Sequence, residues 1–281
     1  MARIRIHVLH CGKIGVAPNL PASAQWRWPA KADARRLKND ARIWLPVSAY
    51  LVEHPKGLFL VDAGLPRTVS PTGIEDRAAQ LRMFGRGWYT LVHSVVEPGA
   101  VDRRAAGRTR HPAAGSGLCA LFPPRSGPHC GYQRGAGRKA SAGGGGRVLL
   151  VVPREPALHL PQAVDGRAAG TVLVPREPHR AGEPLTHDLF GDDSVHLVHV
   201  AGHTEGMFAT LIRNGDRYVL LNADGAASPR SWAEGTVPGI CENSVRAKKA
   251  LDWIGGMSRD GACVASLCSH DPDVAPQTIE F

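Results

Sequence analysis

Short apolar runs of strand length, one of them alternating with polar positions, cluster toward the two ends of the chain. Ile4-Arg-Ile-His-Val-Leu-His10 alternates as a half-buried strand does. Ser48 to Glu53 and Leu58 to Asp62 read as a hairpin turned by His54-Pro-Lys-Gly57. A second series runs through Ser194 to Val200, Met207 to Arg213 and Arg217 to Asn222, and Asn214-Gly215-Asp216 suits a tight connection between the last two. Farther on, Val245-Arg-Ala-Lys-Lys-Ala-Leu-Asp-Trp-Ile254 places Leu251 and Ile254 one turn apart, with Val245 and Trp253 nearby. That spacing predicts an amphipathic helix. Two β-rich halves with helices outside them predict a layered α/β sandwich.

Three of the apolar runs stop abruptly at a residue able to bind a metal. His196-Leu-Val-His-Val200 leads into Ala-Gly202-His203-Thr-Glu-Gly206, Tyr218-Val-Leu-Leu-Asn-Ala leads to Asp224, and Val264-Ala-Ser-Leu-Cys-Ser leads to His270. Flanking glycines let the backbone turn close to whatever the His203 imidazole faces. Two imidazoles and a carboxylate at strand ends suit a borderline divalent ion such as zinc. Each also has a plainer reading: Asp224 as a turn residue before Gly225, His270 as the start of a loop, and Asp62 as a turn cap. His196 and His199 are three apart in a strand, so they point to opposite faces and cannot both be ligands.

Five segments, in order, carry a resemblance to a known family: Leu45-Pro-Val-Ser-Ala-Tyr-Leu51, Gly57-Leu-Phe-Leu-Val-Asp62-Ala-Gly64, Gly202-His-Thr-Glu-Gly206, Asn222-Ala-Asp-Gly225 and Ser269-His-Asp-Pro-Asp273. Over roughly 1–98 and 185–281 the chain resembles the metallo-β-lactamase superfamily and, within it, the N-acyl homoserine lactonases. The resemblance implies the αβ/βα sandwich of the metallo-β-lactamase type, as one domain spanning 1–281. It also implies two divalent ions, taken as zinc. His203 would ligate one ion and His270 the other, Asp224 would bridge them as the catalytic carboxylate, and Asp62 would support the ligands from behind. The implied activity is lactone ring opening by metal-bound hydroxide. A small-molecule lactone or ester would be the substrate, and a glyoxalase II-like thioesterase is the alternative on the same scaffold. The family commonly has a Tyr a few residues after the bridging Asp. Here that position is Ala227.

The family's His-x-His-x-Asp-His motif is missing, and the composition changes where it belongs. Fourteen of the 32 glycines fall between Val101 and Pro184, with Phe122 and Tyr132 the only aromatics there. Thirteen basic residues, twelve of them Arg, meet five acids, so this stretch carries +8 of the chain's +9. It is expected to be disordered or irregular, because so little apolar area cannot offset ordering entropy. Runs of Arg, Ala, Gly and Pro are also what GC-rich DNA yields in a wrong frame. Reverse-translating Leu121 to Gly131 and reading one base later permits Ser-Ser-His-Leu-Asp-Leu-Asp-His-Thr-Ala-Gly, a His-x-Asp-x-Asp-His version of the missing motif. The segment 101–184 is therefore read as aberrant and frame-shifted within a metallo-hydrolase-like domain. Activity of the chain as written is expected to be impaired, and a non-catalytic remnant is the competing reading. His111, His129 and His159 are the candidates to replace the lost ligands.

An Arg-rich segment also raises nucleic-acid binding, but the stretch has almost no aromatic side chains to stack bases, so no nucleic-acid partner is expected. No apolar run approaches the length of a membrane span. The six cysteines show neither C-x-x-C pairing nor a short-spaced framework, which suits reduced thiols in a cytoplasmic protein.

Overall fold

The structure, a computed structural model, describes residues 3–21, 41–62, 64–98, 184–204 and 206–281, together with the backbone of four strands between 118 and 173. The first part contains β1 (Arg5–Val16), β2 (Ile43–His54), β3 (Gly57–Val61), helix α1 (Arg77–Tyr89) and β4 (Val92–Val95). The middle holds β5 (Leu118–Phe122), β6 (Arg147–Val152), β7 (Ala163–Val164) and β8 (Arg167–Leu173). After it come β9 (Thr186–Asp188), β10 (Val195–His199), β11 (Phe208–Asn214), β12 (Arg217–Leu221), α2 (Pro229–Glu234), α3 (Ser244–Arg259), β13 (Cys263–Leu267) and β14 (Thr278–Glu280).

The first sheet has the order β14-β1-β2-β3, with β4 also pairing the far half of β1, and all its pairs are antiparallel. The hairpin read from sequence is present: His54 pairs Gly57, leaving Pro55 and Lys56 as a two-residue turn. The second sheet runs β13-β12-β11-β10-β9, antiparallel except for the parallel β12–β13 pair. Helix α3 lies between those two strands in sequence, as a parallel crossover requires.

Period-two patterning decides which side chains meet. Ile6, Val8, Tyr50 and Val52 of the first sheet pack against Val195, Leu197, Phe208, Ile212, Val219 and Leu221 of the second in one buried cluster. The alternate residues Val198, Ala209, Leu211, Tyr218 and Leu220 face outward, under Ala250 and Ile254 of α3. On the other side Met83 and Phe84 of α1 pack over Val47, Leu65, Val69 and Val96. Sheets face sheets and helices lie outside, the layering expected from sequence. Fully burying each large aliphatic side chain here contributes about 1.5–3 kcal/mol.

Helix α3 departs from its expected face. Val245 is 67% exposed, while the buried stripe is Ala247, Ala250, Leu251, Ile254 and Gly255. Asn243 caps the helix by accepting from the Arg246 N–H at 3.0 Å, so Val245 falls in the first turn on the solvent side.

In α1, Gln80 is wholly buried, and its amide donates to the Ser94 carbonyl at 2.8 Å and accepts the Ser94 N–H at 2.9 Å. Those bonds tie the helix to β4. Nearby, the buried Arg42 guanidinium donates to the carbonyls of Gly15, Thr90 and Leu91 and so gathers β1 and the end of α1.

The middle strands form a separate antiparallel sheet, β5-β6-β8-β7. The rest of the segment expected to be irregular, with His111, His129 and His159, lies outside the described residues. Among the described residues no helix is long and apolar enough to cross a membrane.

Candidate metal centre

One end of the sandwich gathers the three residues singled out from sequence. β10 runs out at His199, and the chain turns through Gly202 before presenting His203. The φ of Gly202 is +151°, and a Cβ there would stand 2.2 Å from the Ala247 nitrogen, so the loop lies directly on the first turn of α3. The Gly202 carbonyl accepts the N–H groups of Glu242 and Asn243, each at 2.9 Å. A side chain at 202 would drive the two apart.

Asp224 follows β12 in a single tight turn. Ala223 before it has φ +49°, and Asp224 itself sits at φ −93°, ψ 17°. Non-glycine residues rarely take a positive φ, and such backbone clusters at functional sites. Asn222, wholly buried, donates to Ser266 Oγ at 2.9 Å and to Cys268 Sγ at 3.6 Å, locking the turn onto the end of β13.

His270 is placed by a join between the sheets. β3 ends at Val61, and Asp62 turns away with φ +60°, so the next stretch of β2 lacks a neighbouring strand on that side. The segment after β13 takes its place. Ser48 N–H donates to the Ser269 carbonyl at 2.9 Å, and His270 Nδ1 donates to the Pro46 carbonyl at 2.8 Å. Proline has no N–H to satisfy, so its carbonyl is the one group this edge position must place. Ser269 Oγ reaches back to Asp62 Oδ2 at 2.8 Å.

The outcome is a carboxylate between two imidazoles. His203 Nε2 stands 3.6 Å from Asp224 Oδ2, and His270 Nε2 stands 3.1 Å from Asp224 Oδ1. The side chains of His203, His270 and Asp224 are 18, 25 and 39% exposed, which leaves the carboxylate open to a small solute. Asp62 lies behind them, half-buried.

The charges are coupled. Burial first, and the Asp224 charge second, push Asp62 up to about 6, against the Ser269 hydroxyl and His270. Burial alone would lower the His270 imidazole, but Asp224, the Pro46 carbonyl and Asp62 outweigh it and raise it above 6.5.

Donor geometry tests whether a divalent ion fits. A carbonyl can only accept, so His270 Nδ1 carries a proton and the Nε2 of the neutral ring presents a lone pair to a carboxylate oxygen. Two acceptors at 3.1 Å need a positive charge between them, a proton or a metal ion. Two ligands on one tetrahedral zinc, each about 2.0 Å away, are about 3.3 Å apart, and the two measured separations bracket that figure. The residues fit a bridge with one imidazole at each end. Among the described residues, however, no three or more His, Cys, Asp or Glu side chains close on a single point as a full ligand shell. His203 Nδ1 is buried without a hydrogen-bond partner among the described residues.

Comparison with solved structures places this arrangement on a known scaffold. An N-acyl homoserine lactone hydrolase with the product N-hexanoyl-L-homoserine at its catalytic metal centre superposes with a TM-score of 0.56 at 14% identity, covering 96% of this chain and 94% of that one. The chain has the metallo-β-lactamase fold. A variant of AiiA from B. thuringiensis, with N-decanoyl-L-homoserine at its active site, superposes on this fold equally well: TM-score 0.56, 14% identity, coverage 96% and 94%. A probable metal-dependent hydrolase from Staphylococcus aureus gives a TM-score of 0.50 at 14% identity, covering 95% and 89%. No family model and no curated protein matches the sequence.

Within the metallo-β-lactamase fold, His203, Asp224 and His270 stand together with Asp62 behind them, and sequence reasoning missed the groups that hold them. Pro46 and Ser48 lie inside a motif that reads as plain strand, and nothing local says that their free edge receives His270 and Ser269. Ala227, where a Tyr was expected, is half-buried, and its N–H reaches Ser231 Oγ at 3.3 Å.

Proposed function

We propose that the chain is a metal-dependent hydrolase that opens lactones or related esters, with N-acyl homoserine lactones as the substrate class and zinc as the metal, in a cytoplasmic setting. The observation that carries this reading is the convergence of His203 and His270 on opposite oxygens of Asp224. His203 and His270 would each hold one of two ions and Asp224 would bridge them. Bound there, the metal supplies Lewis acidity and makes water a usable nucleophile at neutral pH. The chain's own part is placement. Pro46 fixes the His270 tautomer, Gly202 sets the depth of His203, Asn222 holds the Asp224 turn, and Asp62 balances positive charge from behind. The thiols of Cys11, Cys263 and Cys268 support the reducing setting.

The reading includes a defect. Each imidazole of the site serves a different oxygen of Asp224, so the remaining ligands must come from elsewhere, and the out-of-frame segment 101–184 is where the family carries them. The gene sequenced across codons 95 to 190 should show two compensating indels. A clean single frame with strong wobble bias there would remove this part of the proposal.

The activity test sets this chain beside a frame-restored one. The restored chain should open acyl homoserine lactones and lose that activity to a chelator and to Asp224→Asn. This chain should hold fewer than two tightly bound ions by metal analysis and turn over weakly. Lactone or ester hydrolysis by the restored chain that survives both chelator and Asp224→Asn would overturn the assignment.

A further inference from the structure

Two hydroxyls under the candidate metal centre lack an assigned role. Tyr50 is 0% exposed, Ser48 is 0% exposed, and neither the phenol nor Ser48 Oγ makes a hydrogen bond of ordinary length among the described residues, although the Ser48 and Ser269 hydroxyls lie close enough to act on the phenol. A wholly buried tyrosine ordinarily finds a partner for its O–H, and phenylalanine would fill a purely apolar position equally well. Tyr50 pairs across the hairpin with Val61, the residue immediately before Asp62. Ser48 is two residues along the same strand, so it shares Tyr50's face, about 6–7 Å nearer the site. Its own N–H holds the Ser269 carbonyl, and Ser269 Oγ holds Asp62. Both hydroxyls therefore sit in the layer that carries Asp62, Ser269 and His270.

We propose that Tyr50 is a positioning residue for the candidate metal centre: its hydroxyl, with that of Ser48, completes the polar floor around Asp62 and Ser269 and so fixes where His270 stands relative to Asp224. The inference rests on the metal-centre reading above. Burial, then the charges of Asp62 and Cys268, push the phenol well above 10, with the Ser48 and Ser269 hydroxyls opposing. Tyr50 thus stays protonated, its O–H available as a donor to the Ser48 and Ser269 hydroxyls. A donor to Ser269 Oγ leaves that hydroxyl's own proton for Asp62 and so holds the carboxylate in one orientation. That orientation passes through Ser269 Oγ to the neighbouring residue, whose ring is pinned to Pro46. Groups behind a ligand commonly change metal affinity by about 10- to 100-fold when removed.

Cobalt(II) is the probe, titrated through the millimolar range into the full chain and followed by visible absorption, with thermal unfolding of the metal-free protein alongside. Tyr50→Phe should bind cobalt about tenfold more weakly with an altered visible band, while the metal-free unfolding midpoint moves by only a few degrees. Ser48→Ala should act in the same direction and serves if Tyr50→Phe does not fold. If the wild-type chain binds cobalt and both variants match it in affinity and band, with Tyr50→Phe the more stable, Tyr50 is a core filler and the inference fails alone. A wild-type chain that takes up no cobalt overturns the metal-centre reading together with this inference.

Discussion

Replacing Gly202 by alanine tests the link between helix α3 and His203, and Gly57 supplies the matched control. Both glycines adopt similar backbone angles, φ +151° and φ +145°, that side-chain-bearing residues avoid. They differ in surroundings. A Cβ at 57 meets nothing within 4 Å, whereas a Cβ at 202 meets Ala247 N at 2.2 Å and Ala247 Cα at 2.3 Å. The conformational cost, about 1–3 kcal/mol, is common to both substitutions. Gly202→Ala must in addition push the loop off the first turn of α3 by more than about 1 Å, because carbon atoms settle about 3.5–4 Å apart. A displacement of that size breaks the bonds from the Glu242 and Asn243 N–H groups to the Gly202 carbonyl, worth about 1 kcal/mol each. Gly202→Ala should therefore destabilise by about 2 kcal/mol more than Gly57→Ala. Urea unfolding of both variants beside the parent measures the difference. Equal losses would refute the argument, since they would mean that α3 yields freely and does not set the depth of His203.

Three other outcomes are expected. Gln80→Leu keeps the volume but leaves the Ser94 N–H and carbonyl buried without their partner, so it should destabilise by about 2–5 kcal/mol in urea unfolding; a loss below about 1 kcal/mol contradicts the tie between α1 and β4. Asn243→Ala removes the cap on α3 and should cost about 1 kcal/mol, and no measurable loss would show that the Arg246 N–H is satisfied by water. His93 gives a pH dependence with a definite sign. Burial, then the Arg42 charge, hold its imidazole below 6.5 against the pull of Glu75, so the folded state favours the neutral ring. That contribution is complete above pH 6.5 and is lost as pH falls from there toward the lower folded value. Stability followed between pH 7.5 and 5 should fall more steeply for the parent than for His93→Gln, and parallel curves would exclude the histidine.

The strands were legible because their patterning is local. Val219 and Leu221 face one way and Tyr218 and Leu220 the other, and because both faces are buried the strand shows as a short continuous apolar run. The order of His203, Asp224 and His270 at strand ends was also legible, since each follows an apolar run. The edge of β2 was not. Pro46 and Ser48 become site residues only because β3 stops at Val61 and a segment more than 200 residues away takes the place beside them. Gln80 and Arg42 were missed for the same reason: each is polar, each is buried, and each is satisfied by backbone from another element. The face of α3 was misread at Val245 because a capped first turn exposes a residue that helical spacing alone counts as apolar stripe.

The seam where Ser269 and His270 lie beside β2 has a mechanical consequence. The two imidazoles and the carboxylate ride on the second sheet, while the carbonyl that aims one of those rings belongs to the first. Shear between the layers would thus be felt first as a change in the gap between His270 and Asp224. An ion seated in that gap would work as a clasp, and the cohesion of the whole sandwich would rise with metal concentration, whether or not substrate is turned over.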